Sequence, residues 1–421
     1  MKNSENTKQE EKLPEGWKSV RLGEVLANEH LKVGIKNKNI YIPVAIGELG
    51  LRDRTEIYGE DKVLSENTEK YLIFPYSSVC FGLGSKSLAV DVNDVLDSKY
   101  SVSPAYKIFK FDGKKYNPSF FRKYFKFLKD SIGDKFLVLS ARQGKKIDEE
   151  ILLNHSVSLP PLHEQQKIAE ILETVDRAIE KTDKIIEKYK RIKQGLMQDL
   201  LTKGIDENGK IRSEKTHKFK NSPLGRIPEE WEVVRLGEIT SLRRSKCLPP
   251  LNEKYIGLEN IEKETGSING FIPSEEIKGI SNEFRKGDVL FGKLRPNLRK
   301  FYFADFDGFC STEIFVIVSD SNIINQSFLY LVIQSEKFLR LAESKVFGTK
   351  MPRTSWNILE KYEFSLPPLP EQQRIAEILS QIDNTIEKEE AYKQKLDRIK
   401  KGLMEDLLTG RVRVNKLIKK E

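Results

Sequence analysis

The sequence predicts an α/β (α+β) protein: two similar α/β domains separated by two long helices that pair as an antiparallel coiled coil, with pseudo-two-fold symmetry. Three observations carry this. Residues 159–203 align without a gap onto 366–410, with roughly 27 of 45 positions identical. Within both copies apolar residues recur every ~3.5 positions over several heptads. The stretches before each copy alternate strand patterns with one amphipathic helical pattern.

Composition sets the frame. A chain of 421 residues is long enough for two or three domains, each with its own core. No apolar run approaches the ~18–20 residues of a membrane span. Net charge is +9, with charged residues at 32%; this favours a polyanionic partner without requiring one. Cys80, Cys247 and Cys310 lie far apart and form no CxxC pair. The pattern argues against a disulfide framework or a metal site and places the protein in a reducing cytoplasm.

Taken in order, residues 1–12 are a polar, flexible tail without the apolar stretch of a signal peptide. The first domain covers 13–158. Its strand patterns are "YIPVAIGEL" (41–49), "YLIFPYSSVCFGL" (71–83) and "AYKIFKF" (105–111), and a helix follows at 117–132. The central repeated helix occupies 159–204 and a linker 205–226. The second domain covers 227–365, with strands at 255–261, 287–294, 301–306 and 312–319 and a helix over 325–344. The second repeated helix spans 366–412, and 413–421 is a basic tail. Each domain opens on a weaker echo, "LPEGWKSVRLGEV" (13–25) and "IPEEWEVVRLGEI" (227–239).

The repeated segments begin "LPPLHEQQKIAEIL" and "LPPLPEQQRIAEIL". The Pro-Pro pair cannot lie inside a helix, so each helix starts just after it. Ile168, Leu172, Leu196 and Leu200, and their counterparts Ile375, Leu379, Leu403 and Leu407, form the seam. Thr182, Lys193, Glu389, Lys393 and Lys400 interrupt it. Two helices of ~36–40 residues would be roughly 55–60 Å long. The chain leaves the first near Thr202 and enters the second near Pro370, which makes antiparallel pairing the simpler topology. Each end of the pair would then show the start of one helix beside the end of the other. Two such equivalent patches suit two copies of one partner. Seam packing does not explain why Glu164, Gln165 and Gln166 recur as Glu371, Gln372 and Gln373. These six are expected to face outward and dock that partner.

Several loops have the chemistry to meet DNA. In the second domain, "GKLRPNLRK" (292–300) carries Lys293, Arg295, Asn297, Arg299 and Lys300, and "FGTKMPRTSW" (347–356) carries Lys350, Arg353 and Thr354. In the first domain, "SARQGKKID" (140–148) carries Arg142, Gln143, Lys145 and Lys146, and "GLGSKS" (82–87) carries Lys86. Arg and Lys neutralise phosphates, while Arg and Asn/Gln can read base edges. For any one of these residues a solvated basic loop is the plainer reading. Their recurrence just before each repeated helix favours the DNA reading.

Catalytic patterns are missing. "GLGSKS" lacks the spacing of a phosphate-binding loop, and no GxGxxG follows a strand. "LPPL" lacks the polar first residue of an amino-methyltransferase motif, and no Ser/His/Asp constellation stands out.

Two variable domains, each followed by "LPPLxEQQxIAEIL" and a helix ending "GLMxDLLT", resemble the specificity subunit of type I restriction–modification enzymes. The second domain's "GDVLFGKLRPNLRKFYFADFDGFCSTEIFVI" (287–317) is similar to that family's target-recognition domain; the first domain departs from it, without an Arg-Pro-x-Leu-Arg. The resemblance implies a non-catalytic subunit with no cofactor of its own. Each domain would read one half of a split double-stranded DNA target, and the helices would dock two modification subunits. Those subunits would bring S-adenosylmethionine, and restriction subunits ATP and Mg²⁺. The helix length limits half-sites to ~16–18 base pairs apart, and inward loops shorten that to about 10. Two other readings stay open: a self-sufficient methyltransferase or nuclease, and a coiled-coil scaffold without a DNA role.

Overall fold

The computed structural model describes residues 13–34, 40–47, 50–59, 68–83, 88–140, 144–348 and 350–418. The flexible tail expected at 1–12 lies outside them. The chain forms two compact units: Met1–Asp183 with Tyr392–Glu421, and Lys184–Ala391. Both long helices, Leu162–Leu200 and Leu369–Leu408, contribute to each unit.

Within the first unit, the strands Ala27–Glu29, Lys107–Lys110, Ser78–Leu83 and Leu88–Asn93 form one antiparallel sheet in that spatial order. A second sheet runs Gly50–Asp53, Ile42–Gly47, Tyr100–Val102, Leu72–Phe74; only its middle pair is parallel. The helix Pro118–Ile132 is capped by Asn117, whose side chain accepts from the Phe120 amide. Its apolar face buries Phe120, Phe121, Tyr124 and Phe125 against Val79, Phe81, Val90 and Val92 of the first sheet.

The second unit follows the same plan with different residues. Its first sheet runs Thr240–Leu242, Ile314–Ser319, Val289–Gly292, Phe301–Phe303. Its second runs Lys246–Cys247, Ser281–Phe284, Gly308–Cys310, Lys254–Ile256, Ile272–Pro273, with the Gly308 and Lys254 strands parallel. The predicted single helix over 325–344 is two helices, Gln326–Gln334 and Glu336–Ser344. Ser335 breaks it by leaving helical geometry, and its hydroxyl then accepts from the Phe338 amide as the cap of the second. In both units the strand that follows the tryptophan of the echo pairs antiparallel with the strand that leads into a long helix: Lys18–Arg21 with Ser156–Leu159, and Glu232–Arg235 with Glu363–Leu366. The parallel "RLGE" echoes therefore mark the same position in each fold.

The long helices pair antiparallel in each unit. In the first, Asp176 meets Lys400 and Asp183 meets Lys393, both at 2.6 Å, so partner numbers fall as the chain advances. In the second, Lys190 meets Glu390 at 2.8 Å and Lys193 meets Asp383 at 2.6 Å. Lys193, Lys393 and Lys400, which interrupt the apolar seam, are thus each matched by a carboxylate on the facing helix. Thr182 is buried and donates to the Ala178 carbonyl of its own helix. Ile168, Leu172 and Leu407 join the core of the first unit, and Ile375, Leu379 and Leu200 join that of the second. The helices are therefore part of each domain's core as well as partners of each other. Among the described residues no helix is long and apolar enough to cross a membrane, and no cluster of His, Cys, Asp and Glu could hold a metal.

Candidate nucleic-acid interface and helix clamp

The repeated "EQQ" sits where each long helix begins, and its first two residues point inward. Glu164 and Gln165 are each 1% exposed, Glu371 is 8% and Gln372 is 1%. This corrects the expectation that all six residues face outward. Glu164 accepts from the Trp17 indole at 3.1 Å and from Arg413 through two contacts of 2.8 Å. Glu371 accepts from the Trp231 indole at 3.1 Å, from Arg212, and from the Ile205 amide at 2.8 Å. Burial opposes the charge on Glu164, but the Arg413 guanidinium, the Trp17 indole and the Val414 amide outweigh it and hold the carboxyl below its usual range.

Gln165 and Gln372 are equally committed. Gln165 accepts from the Asn117 amide at 2.9 Å and donates to the Pro160 carbonyl at 2.9 Å. Gln372 accepts from the Asn325 amide at 2.8 Å and donates to the Pro367 carbonyl at 2.7 Å. Asn117 and Asn325 are the N-cap residues of the helices Pro118–Ile132 and Gln326–Gln334. The Pro-Pro-x-x-Glu-Gln phrase thus ties the start of a long helix to the start of a domain helix. The arginine that completes each clamp comes from segments read as a linker (Arg212) and as a basic tail (Arg413). Trp17 and Trp231 were visible only as part of the weaker echo. Gly204 and Gly410, both left-handed, follow the ends of the long helices; a Cβ at Gly204 would meet the Glu371 carboxylate and the Trp231 indole, and one at Gly410 would meet Pro14 and crowd the Trp17 indole.

Gln166 and Gln373 remain exposed, with Glu170 and Glu377 one turn further on. Gln373 and Glu377 line a shallow groove of about 380 Å³ beside Asn325 and Ser327. The outward face of the repeat is therefore narrower than the sequence suggested.

The basic loops of the second unit come together through their backbones. The Arg295 amide donates to the Pro352 carbonyl at 2.7 Å and the Thr354 amide to the Lys293 carbonyl at 2.9 Å. Phe347 and Arg353 exchange hydrogen bonds of 2.8 and 2.9 Å. Arg295 adopts φ 51° and Arg299 φ 48°, left-handed values that bracket the short turn Pro296–Leu298. Such strain in non-glycine residues persists where the surroundings over-determine it.

Side chains in this loop pair divide into three groups. Arg295, Asn297 and Lys350 are exposed and make no side-chain hydrogen bond or ion pair among the described residues. Lys293 and Arg353 share Glu313, at 4.0 and 2.9 Å. The rest are structural. Arg299 is gripped by Glu343 at 2.6 Å and Glu336 at 2.8 Å, and these bonds raise its pKa above the ordinary arginine value. Lys300 donates to the Leu258 carbonyl at 2.5 Å, and its burial lowers its pKa. Thr354 is 3% exposed, so its hydroxyl faces the protein. Arg299 is thus held by carboxylates of its own unit, and Thr354 is buried, whereas both were expected to reach nucleic acid.

In the first unit the corresponding place is a hairpin, Leu137–Ser140 with Gly144–Ile147. Lys146 is exposed on it and Lys145 lies opposite Leu139 in the register. Arg142, Gln143 and Lys86 lie outside the described residues.

The family model for the type I restriction modification DNA specificity domain matches twice, over residues 14–190 and 228–398. The chain belongs to this specificity family. Each match starts at a tryptophan-bearing echo and runs into a long helix, so it includes the clamp glutamates. The specificity subunit of the type I restriction enzyme MjaVIII from Methanocaldococcus jannaschii is 32% identical over 292 residues, 64% of this chain and 65% of that one. The EcoDI specificity subunit from Escherichia coli is 29% identical over 258 residues, 56% of this chain and 57% of that one. The alignments thus span less than two thirds of these relatives. Two solved structures share the fold. The S subunit of a type I system from M. genitalium has a TM-score of 0.55 at 14% identity, covering 95% of this chain and 97% of that one. A chain from a study of type I R-M complex assembly has a TM-score of 0.52 at 18% identity, covering 95% of this chain and all of that one.

Proposed function

We propose that this chain is the non-catalytic DNA-recognition subunit of a type I restriction–modification complex. Each unit reads one half of a split, asymmetric double-stranded target. The observation that carries the reading is the contrast between sameness and difference. The two units repeat one sheet order and one Glu-Gln clamp, yet their loops before the long helices differ in sequence. An identical scaffold suits identical partners; unlike loops suit unlike half-sites.

In the second unit Arg295, Asn297 and Lys350 are the groups free to meet DNA, with Lys293 and Arg353 beside them. In the first unit the hairpin bearing Lys145 and Lys146 takes that role. Two modification subunits dock on the exposed Gln166 and Gln373 faces. They supply S-adenosylmethionine chemistry; restriction subunits supply the ATP- and Mg²⁺-dependent steps. The complex acts in the cytoplasm, where its DNA is.

Methylome sequencing of cells carrying this chain together with a modification subunit that co-purifies with it tests the reading. The expected result is a two-part target with half-site centres about 10 base pairs apart. One continuous palindromic target would overturn it. Modification or cleavage by the purified chain alone would favour a self-sufficient enzyme instead.

A further inference from the structure

The hairpin closed by Phe347 and Arg353 carries large apolar side chains in the middle of a basic surface. Phe347 is 65% exposed, Met351 48% and Val346 39%. A single exposed apolar residue needs no explanation. Here Phe347 and Met351 share one hairpin with the exposed Lys350, Val346 lies at its foot, and the loop of Arg295 is bonded to the same hairpin at Pro352. Arg353 bridges Phe347 on one side and Leu294 on the other. The base of the hairpin is therefore pinned on both sides before any ligand arrives, which lowers the ordering cost of presenting Phe347 and Met351.

We infer that the 347–353 hairpin is an apolar wedge: Phe347 and Met351 press against the bases of the bound duplex while Lys350 and Arg295 hold the flanking phosphates. Charge complementarity selects a polyanion as the occupant, and the exposed aromatic face selects one whose interior is flat and apolar. Side chains of this kind partly unstack a base step and bend the duplex. The wedge thus adds sensitivity to base-step stacking, which differs between sequences. The inference rests on the proposal that the second unit binds DNA through this loop pair.

The test uses the full chain assembled with its modification subunits and a pool of randomised 40-base-pair duplexes, enriched on the wild-type complex. Affinity and its salt dependence are measured on the enriched duplexes. Phe347→Ala is expected to weaken binding roughly 10-fold with the salt slope unchanged, because no phosphate contact is lost. Arg295→Ala is expected to lower the slope by about one. Phe347→Trp should restore the affinity lost in the alanine variant, and its added tryptophan emission, over that of Trp17, Trp231 and Trp356, should be quenched by the duplex. If Phe347→Ala and Met351→Ser bind like wild type while Arg295→Ala is impaired, the wedge is wrong and the DNA face stands. Unquenched emission from the Phe347→Trp complex also overturns the wedge. If Arg295→Ala and Lys350→Ala leave affinity and slope untouched, or the pool enriches nothing, the DNA face and the wedge both fail.

Discussion

Arg413 grips Glu164 with two prongs, Nε to Oε1 and Nη2 to Oε2, both at 2.8 Å. The carboxylate is sealed from solvent and its second neighbour is the indole of Trp17. Three parts of the chain remote in sequence meet at this one point: the opening echo, the start of the first long helix, and the segment past the end of the second.

Arg413→Ala should therefore cost about 3 kcal/mol, because it strands a buried charge. Hydrogen exchange read by mass spectrometry should show the loss in the first unit and spare the second. Adding Glu164→Gln to Arg413→Ala should recover part of it, since no charge is left unpaired. Arg212→Ala should do the same to the second unit through Glu371.

The clamp also sets a pH dependence. The folded pKa of Glu164 lies below its unfolded value near 4.5. Its contribution is thus fully present above that value and lost as pH falls through the folded pKa. Asp176 acts in the same direction: burial opposes its charge, but Lys123 and Lys400 outweigh this. Denaturant unfolding should show stability of the first unit level at neutral pH and falling in the acid range. Glu164→Gln should flatten that fall.

Neighbouring glutamines should separate stability from docking. Gln165→Ala and Gln372→Ala leave a domain-helix cap amide without its acceptor, at about 1–2 kcal/mol each. Gln166→Ala with Gln373→Ala should leave unfolding unchanged and weaken co-elution with modification subunits in size-exclusion chromatography. A stability loss in that double variant would contradict the exposed placement.

Two arginines four residues apart should behave differently. Arg295→Ala should impair DNA binding without moving the melting temperature. Arg299→Ala should lower the melting temperature of the second unit, because Glu336 and Glu343 lose their shared cation, and any loss of DNA binding should follow from a loosened loop. Differential scanning calorimetry beside gel shifts distinguishes them.

Much of the fold was legible because its signals are local. Seam periodicity and the Pro-Pro stop place both long helices, and alternating apolar residues place strands such as Ile314–Ser319. The single break at Ser335 was missed because the apolar period continues across it, while a hydroxyl cap is a local event that periodicity does not report. The site was less legible. Basic loops identify themselves by composition, but whether a cation is free depends on carboxylates brought from elsewhere: Glu313 beside Arg353, Glu336 and Glu343 around Arg299.

The sequence by itself determined the doubled architecture, the antiparallel helix pair and the alternation of shared and variable segments. Repetition and period are properties of the chain read in one dimension. Only the tertiary structure decided which residues of the repeat are structural and which are available. Glu164 and Gln165 look like surface residues by type. They are buried because Trp17, Asn117 and Arg413, distant along the chain, together with the nearby Pro160 carbonyl, pair the polar groups that burial would otherwise strand.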